Sequence, residues 1–297
     1  MDYILHLTIL IAIYTILSQS LSIVAGYSGQ LSLAHAGFYG IGAYTTAILS
    51  VNFGLSIFIT LPLAMLLSGI IAFIVSKIAV KTVDDYYIII TLGIQVVIFS
   101  ILNNWQDVTR GPLGIPAIPS IEIFGFAFDS KLSFLILSVF IVAIVWYLIN
   151  NLVTSPFGRI LRALSEDEIF TKSLGKNVYQ AKIISFTISG MLASIAGVLY
   201  AHYISYIDPT SFTIDESIFI LSIVIIGGMR NLRTIFLATV FLVLLPEALR
   251  FVGMPSNIAA NMRQIIYGIA LVLVIFQYGN RKNKLKNEKD KDMVRQP

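Results

Sequence analysis

The chain contains no cysteine, which excludes disulfides and thiolate metal sites. Charge is scarce: 12% of the 297 residues are Asp, Glu, Lys or Arg, about half the share of a soluble domain. Three histidines, His6, His35 and His202, lie far apart, so no cluster has metal-ligand spacing. No Gly-x-x-x-x-Gly-Lys-[Ser/Thr] occurs, and a P-loop ATPase is excluded. His-Glu-x-x-His and Gly-x-Ser-x-Gly are missing too, leaving a membrane enzyme without residues for turnover. Ion-coupled carriers place costly carboxylates or lysines at mid-membrane. Here every Asp and Glu falls at a span end, in a loop or in the tail, with Glu247 beside Pro246 the nearest exception. A carrier that coordinates ions through backbone carbonyls stays open.

What the chain does have is apolar bulk. It is 57% hydrophobic with a mean hydropathy of +0.86, which in water would leave large greasy patches. The reading is an all-α, polytopic integral membrane protein. A helix needs roughly 20 apolar residues to cross, and the candidate spans are 4–24, 33–51, 57–75, 86–102, 132–148, 183–203, 218–229, 235–249 and 265–278. The stretch 218–229 is too short to cross alone and ends in Gly227-Gly228, as a re-entrant or broken segment does. The count is therefore eight or nine. The start, Met1-Asp2-Tyr3, lacks the positively charged n-region of a secretory signal, so the first span reads as retained.

Lys and Arg set the orientation. With nine crossings and the tail in the cytoplasm, sixteen of the twenty cations fall on the cytoplasmic side. The protein is expected as a transmembrane body over residues 1–280 and a basic cytoplasmic tail over 281–297, disordered and drawn to anionic lipid. The outer loop 103–131, punctuated by Gly111-Pro112-Leu113-Gly114-Ile115-Pro116 and Pro119, reads as an ordered non-helical cap. It serves as a connector or as a docking surface for a substrate-delivering partner. Tyr86-Tyr87 and Trp146-Tyr147 read as interfacial aromatics.

The segment Gly26–Leu49 is greasy yet holds five glycines within Gly29–Gly42 and its flank, with Gln30 and His35. Small residues let helix backbones approach, and broken helix at membrane depth is tolerated only against protein or a wet cavity. Ser32, Ala36 and Gly40 lie four apart and, with Ala43 and Ala47, form one flat ridge if helical. The segment reads as the wall of a pathway. Its pathway candidates are Tyr27, Gln30, Ser32 and His35, while Gly29, Ala36, Gly37, Gly40 and Gly42 read as packing residues. His35 is favoured as interhelical glue; Gln30 is either glue or a substrate contact.

The loop 154–182 is the one sizeable cytoplasmic loop. Ser165-Glu166-Asp167-Glu168 has the form of a capping box, with Ser165 as the N-cap and Glu168 reaching back. Acids open the helix, Lys172 closes it and Gly175 stops it. Ile169, Phe170 and Leu174 put an apolar strip on this short helix. Either the strip lies on the membrane surface or the helix is a rigid peg for a groove on a cytoplasmic partner; two caps on so short an element favour the peg.

Taken together, Gly26-Tyr27-Ser28-Gly29-Gln30-Leu31-Ser32-Leu33-Ala34-His35-Ala36-Gly37-Phe38-Tyr39-Gly40-Ile41-Gly42-Ala43-Tyr44 resembles the signature of LivM-type permeases, the membrane subunits of branched-chain amino acid ABC transporters. The run 158–168, followed by Leu174-Gly175, resembles that family's ATPase-coupling loop, and 91–93, 111–115 and 226–229 sit in family order. The resemblance spans about residues 20–280. It implies a pair of related permease subunits, two cytoplasmic ATP-binding subunits that carry the ATP, and an extracellular or periplasmic binding protein. This chain would then bind no cofactor itself. The helix 166–174 would be the coupling helix, with Arg159, Arg162, Ser165, Glu166, Asp167, Glu168, Ile169, Phe170 and Gly175 as coupling residues. The implied substrate is Leu, Ile, Val or a related apolar amino acid, with urea or a short amide as the alternative. One departure stands out: after Gly227-Gly228-Met229 the family continues in small residues, whereas this chain has Arg230-Asn231-Leu232-Arg233-Thr234. Two cations there argue against a close helix turn.

Overall fold

The computed structural model describes residues 2–82, 84–123, 125–251, 265 and 268–269. The span expected at 265–278 and the basic tail lie outside the described residues, apart from helical positions at 265, 268 and 269. Residues Met1–Val243 form one compact unit. Leu244–Pro297 form a second, of which the last turns of a helix, with Pro246 inside it, are described.

The first unit is helical. Its elements are α1 (Asp2–Ser22), α2 (His35–Phe53), α3 (Ile57–Ala79), α4 (Asp84–Asn104), α5 (Gln106–Thr109), α6 (Lys131–Thr154), α7 (Pro156–Glu166), α8 (Glu168–Ser173), α9 (Val178–Ile204) and α10 (Ile214–Ile226). The helix α11 (Leu232–Phe251) carries the chain into the second unit. Among the described residues five helices are long and apolar enough to cross a membrane: α1 with its extension to Tyr27, α3, α4 from Tyr86, α6 and α9. These five do not confirm the eight or nine segments expected. Two of the expected spans fall short on length or composition: α10 has only 13 residues, about 20 Å of helix, and α2 is diluted by glycines and polar residues.

With 24 residues, α6 separates two ends of the bundle by about 36 Å. One, the cap end, carries residues 105–130; the other, the loop end, carries α7 and α8. The cap is less irregular than its Gly/Pro content suggests. It holds the single turn α5, a 3-10 turn at Gly111–Leu113, and two small antiparallel pairs. Strand β1 (Ile115–Pro116) pairs with β4 (Tyr206–Ile207), and β2 (Glu122–Ile123) with β3 (Phe126–Ala127). The first pairing ties the cap to the end of α9.

The core forms around α9, against which α2 and α3 lie. Small residues make this closeness possible. A side chain on Gly42 would collide with the backbone of Ser194, and one on Gly197 with the carbonyl of Tyr39. At Gly190 an added Cβ would stand 2.7 Å from the Ala72 Cβ, and Ser68 Oγ donates to the Gly190 carbonyl at 2.8 Å. The aromatic rings of Phe38, Tyr87 and His35 surround Phe186 edge-on. Tyr87 is therefore a core residue, a correction to its reading as interfacial. Adjacent helical positions lie about 100° apart, so only Tyr86 of that pair faces outward. Large apolar residues on α3, α4 and α6, such as Leu66, Val97 and Phe140, are exposed, as a lipid-facing surface requires.

Candidate functional site

The chain does not pass from α1 to α2 as two simple spans. The α1 helix widens into a π-helical turn, Ile23–Tyr27, at the loop end. Residues 28–34 then climb back into the protein without helical structure, turning at Gly29 (φ +74°). The helix restarts at His35, whose Nε2 lies 2.7 Å from Ser189 Oγ. Ser189 sits eleven residues into α9, so α2 begins about 16 Å inside the loop end. Ser32 lies in the non-helical stretch, and the proposed ridge Ser32–Ala36–Gly40 is corrected accordingly. The glycines of α2 face separate neighbours: Gly37 meets Gln95 and Ile98, Gly40 meets Phe212 and Leu102, and Gly42 meets Ser194. A helix buried all round needs small residues on every side, not one ridge.

Unpaired backbone at this depth must find partners within the protein. Leu33 N–H donates to Thr91 Oγ1 (3.1 Å), Ala34 N–H to Ser32 Oγ (3.2 Å) and Ala36 N–H to Ser217 Oγ (3.0 Å). Gly37 N–H donates to Gln95 Oε1 at 2.6 Å, and Gln95 Nε2 donates to the Phe212 carbonyl at 2.8 Å. The starts of α2 and α10 thus meet inside the bundle, fastened by side chains of α4 and α10. Gln30 is buried, with Ser28 Oγ donating to its Oε1 at 3.1 Å. Ser189 Oγ also donates to the Ser20 carbonyl, so His35, α9 and α1 are joined in one chain of hydrogen bonds. The sequence patterns do not single out Gln95, Ser189 or Ser217, and Thr91 enters them only within the family-order run 91–93. Gln95 carries a signal, being an amide in the middle of an apolar span; the hydroxyls of Ser189 and Ser217 carry none.

At the loop end, α7 begins with Ser155 as N-cap and Pro156 at its first position, and buries Leu161 and Leu164. It ends at Glu166. The N-cap of α8 is Asp167, whose carboxylate accepts from Phe170 N–H at 2.8 Å. The capping box centred on Ser165 is therefore corrected: Ser165 Oγ donates to the Arg162 carbonyl inside α7. Helix 166–174 is two elements with Asp167 as the joint, and α8 covers only Glu168–Ser173. Glu168 does not reach back either. It pairs with Lys182 Nζ of α9 at 2.6 Å, where the lysine side chain is 8% exposed and the glutamate 48%. The stop is as read, with Lys172 in the last turn and Gly175 at φ +75° accepting no backbone strain an L-residue would suffer. Ile169, Phe170 and Leu174 are 83%, 60% and 59% exposed. Arg159 is exposed on α7.

The two regions meet. Ser165 packs on Gly29, where an added Cβ would stand 3.1 Å from the Ser165 Cβ. The Arg162 guanidinium lies 5.4 Å above the Tyr27 ring, and Tyr27 Oη donates to the Arg230 carbonyl. Arg230 sits in the connection from α10 to α11. That connection is a close turn, with Gly228 at φ +84° and Met229 at φ +58°, and Gly26 lies directly under the Met229 carbonyl. The two cations, which argued against a close turn, do not prevent it. The Arg230 side chain leaves the turn and finds acceptors: Nε donates to the Gly26 carbonyl (3.0 Å), one terminal nitrogen to Glu166 (3.1 Å) and the other to Ser165 Oγ (2.7 Å).

The described residues thus combine a broken helical segment buried in protein with a short helix exposed at one end. The family model described as "Branched-chain amino acid transport system / permease component" matches residues 3–275. The chain belongs to this family. It is similar to the high-affinity branched-chain amino acid transport system permease protein LivM of Salmonella typhimurium, 36% identical over 261 residues, covering 80% of this chain and 61% of that protein. The chain thus spans about three fifths of the length of that relative. It is 26% identical to the probable branched-chain amino acid transport permease protein LivM of Methanocaldococcus jannaschii, over 93% of this chain and 91% of the relative. The ribose import permease protein RbsC of Haemophilus influenzae is 24% identical over 63% of this chain and 56% of its own length. No solved structure matches the chain. As a member of the branched-chain amino acid ABC permease family, the protein is a membrane protein.

Proposed function

We propose that this chain is the permease subunit of an ATP-driven importer, and that α8 is the peg through which a separate cytoplasmic ATP-binding subunit acts on it. The observation that carries the reading is the state of α8. Two apolar side chains, Ile169 and Phe170, stand in the open on a six-residue helix, with a third, Leu174, at its C-cap; the helix is capped by Asp167 and tied to α9 through Glu168 and Lys182. A helix this short is marginal alone, and fixing it while leaving its apolar face bare suits a surface that another protein covers. The loop end would face the cytoplasm, in keeping with the distribution of Lys and Arg.

The second permease subunit would complete the pathway alongside the broken segment 26–35. A binding protein would deliver substrate at the cap end, and ATP would be held by the partner subunits alone. The family favours branched-chain or related apolar amino acids as substrate, with urea or a short amide as the competing cargo.

Reconstitution in liposomes with the ATP-binding and binding-protein partners tests this. Leucine uptake is expected to need ATP, to exceed urea uptake, and to fall at least tenfold in Phe170→Asp while the variant still inserts. Gradient-driven uptake by the chain alone would make it a channel or secondary carrier and end the proposal.

A further inference from the structure

Arg230 is not required by the fold of α10 and α11, since Gly228 and Met229 make the turn between them. Its side chain instead spans two segments that the chain keeps more than 130 residues apart. One is the π-helical turn at the end of α1, where the Gly26 carbonyl lies among those that a helix end leaves without intrahelical donors. The other is the end of α7, immediately before the Asp167 joint. A guanidinium offers five donors in a fixed planar fork, and here it serves three acceptors at 2.7–3.1 Å on both segments.

We infer that Arg230 is the link that passes movement of α7 and α8 into the broken segment 26–34, a positioning residue for the pathway. The inference rests on the coupling role proposed for α8. Three further features at the same junction support it. Ser165 bears on Gly29, so α7 touches the break at its left-handed turn. Tyr27 donates to the Arg230 carbonyl, and Arg162 covers the Tyr27 ring. Gly26 lets the Met229 backbone sit on the π-helical turn. Displacing α7 relative to residues 26–30 breaks a set of contacts at once, and Arg230 supplies three of the hydrogen bonds that reach across. With small residues in place of Arg230, the Ser165–Gly29 and Arg162–Tyr27 contacts alone would join α7 to the break.

The assembled transporter in proteoliposomes tests this, with leucine as probe and uptake and ATP hydrolysis measured on the same vesicles. Arg230→Ala is expected to keep ATP hydrolysis within twofold of the parent while leucine moved per ATP falls about tenfold. Arg230→Lys, which keeps the charge but loses the fork, is expected to recover part of that ratio. An unchanged ratio in Arg230→Ala overturns the inference, and so does an equal loss of uptake and hydrolysis, which a merely structural role would produce. If Arg230→Ala fails to assemble, Glu166→Gln cuts the ion pair at a side chain that is 70% exposed; its ratio should fall about threefold, and an unchanged one overturns the link. Parent protein that takes up leucine without ATP would defeat the coupling role itself, a result distinguishable from any of these.

Discussion

Gln95 and Gly37 face each other across α4 and α2, the amide oxygen of one accepting the backbone N–H of the other at 2.6 Å. The same side chain donates to the Phe212 carbonyl. One residue thereby fastens the buried start of α2 and the turn that leads into α10. Leucine has nearly the same volume and none of the hydrogen bonds. Gln95→Leu should strand the Phe212 carbonyl and weaken the Gly37 amide, at about 1–3 kcal/mol for each buried group left unsatisfied. Thermal unfolding in detergent is expected to show a clearly lower midpoint than Gln106→Leu on the exposed turn α5. Equal midpoints would contradict the fastening role.

The approach of α2 to α9 predicts which glycines are dispensable. A methyl group at Gly42 meets the Ser194 backbone, which cannot swing aside as a side chain can. Gly42→Ala is expected to cost about 1–3 kcal/mol, the usual range for overpacking, or more. Gly93 on α4 has open space where its Cβ would be. Gly93→Ala should stabilise the isolated subunit by about 0.5–1 kcal/mol, since glycine is the poorer helix former. The two variants therefore move the unfolding midpoint in opposite directions, and a shared direction would show that close packing is not what Gly42 provides.

The joint between α7 and α8 gives a third test. Asp167 caps α8 and Ser165 does not. Asp167→Ala should remove about 1 kcal/mol from α8 and speed amide hydrogen exchange at Phe170 and its neighbours. Ser165→Ala should leave those amides as they were. The reverse pattern would restore the capping box that the sequence suggested.

That box shows where pattern reading stops. Ser-x-x-Glu is a sound signature of a helix start, but Asp167 one turn's edge later competes for the same role. The choice went to Asp167 because Lys182 draws Glu168 away toward α9, a contact between residues that no local pattern connects. The break at 28–34 was legible in outline, because glycines, Gln30 and His35 in an apolar run demand buried partners. Who those partners are was not, since Thr91, Ser189 and Ser217 look like any other hydroxyls in a span. Arg230 stands out in the sequence but points the wrong way there. Its charge argued against a close turn only so long as its side chain had nowhere to go, and the Gly26 carbonyl, Ser165 and Glu166 supply that place.

The sequence by itself determined that this protein lives in a membrane and that a short helix with an apolar strip interrupts a charged loop. Those properties follow from composition and local spacing, which neighbouring residues settle among themselves. Only the tertiary structure decided where helices break, which side chains cap the buried ends, and that α7 leans on the break through Ser165 and Arg230. Those depend on hydrogen-bond partners drawn from distant parts of the chain, because backbone groups withdrawn from water take whichever donor or acceptor the packing brings within reach.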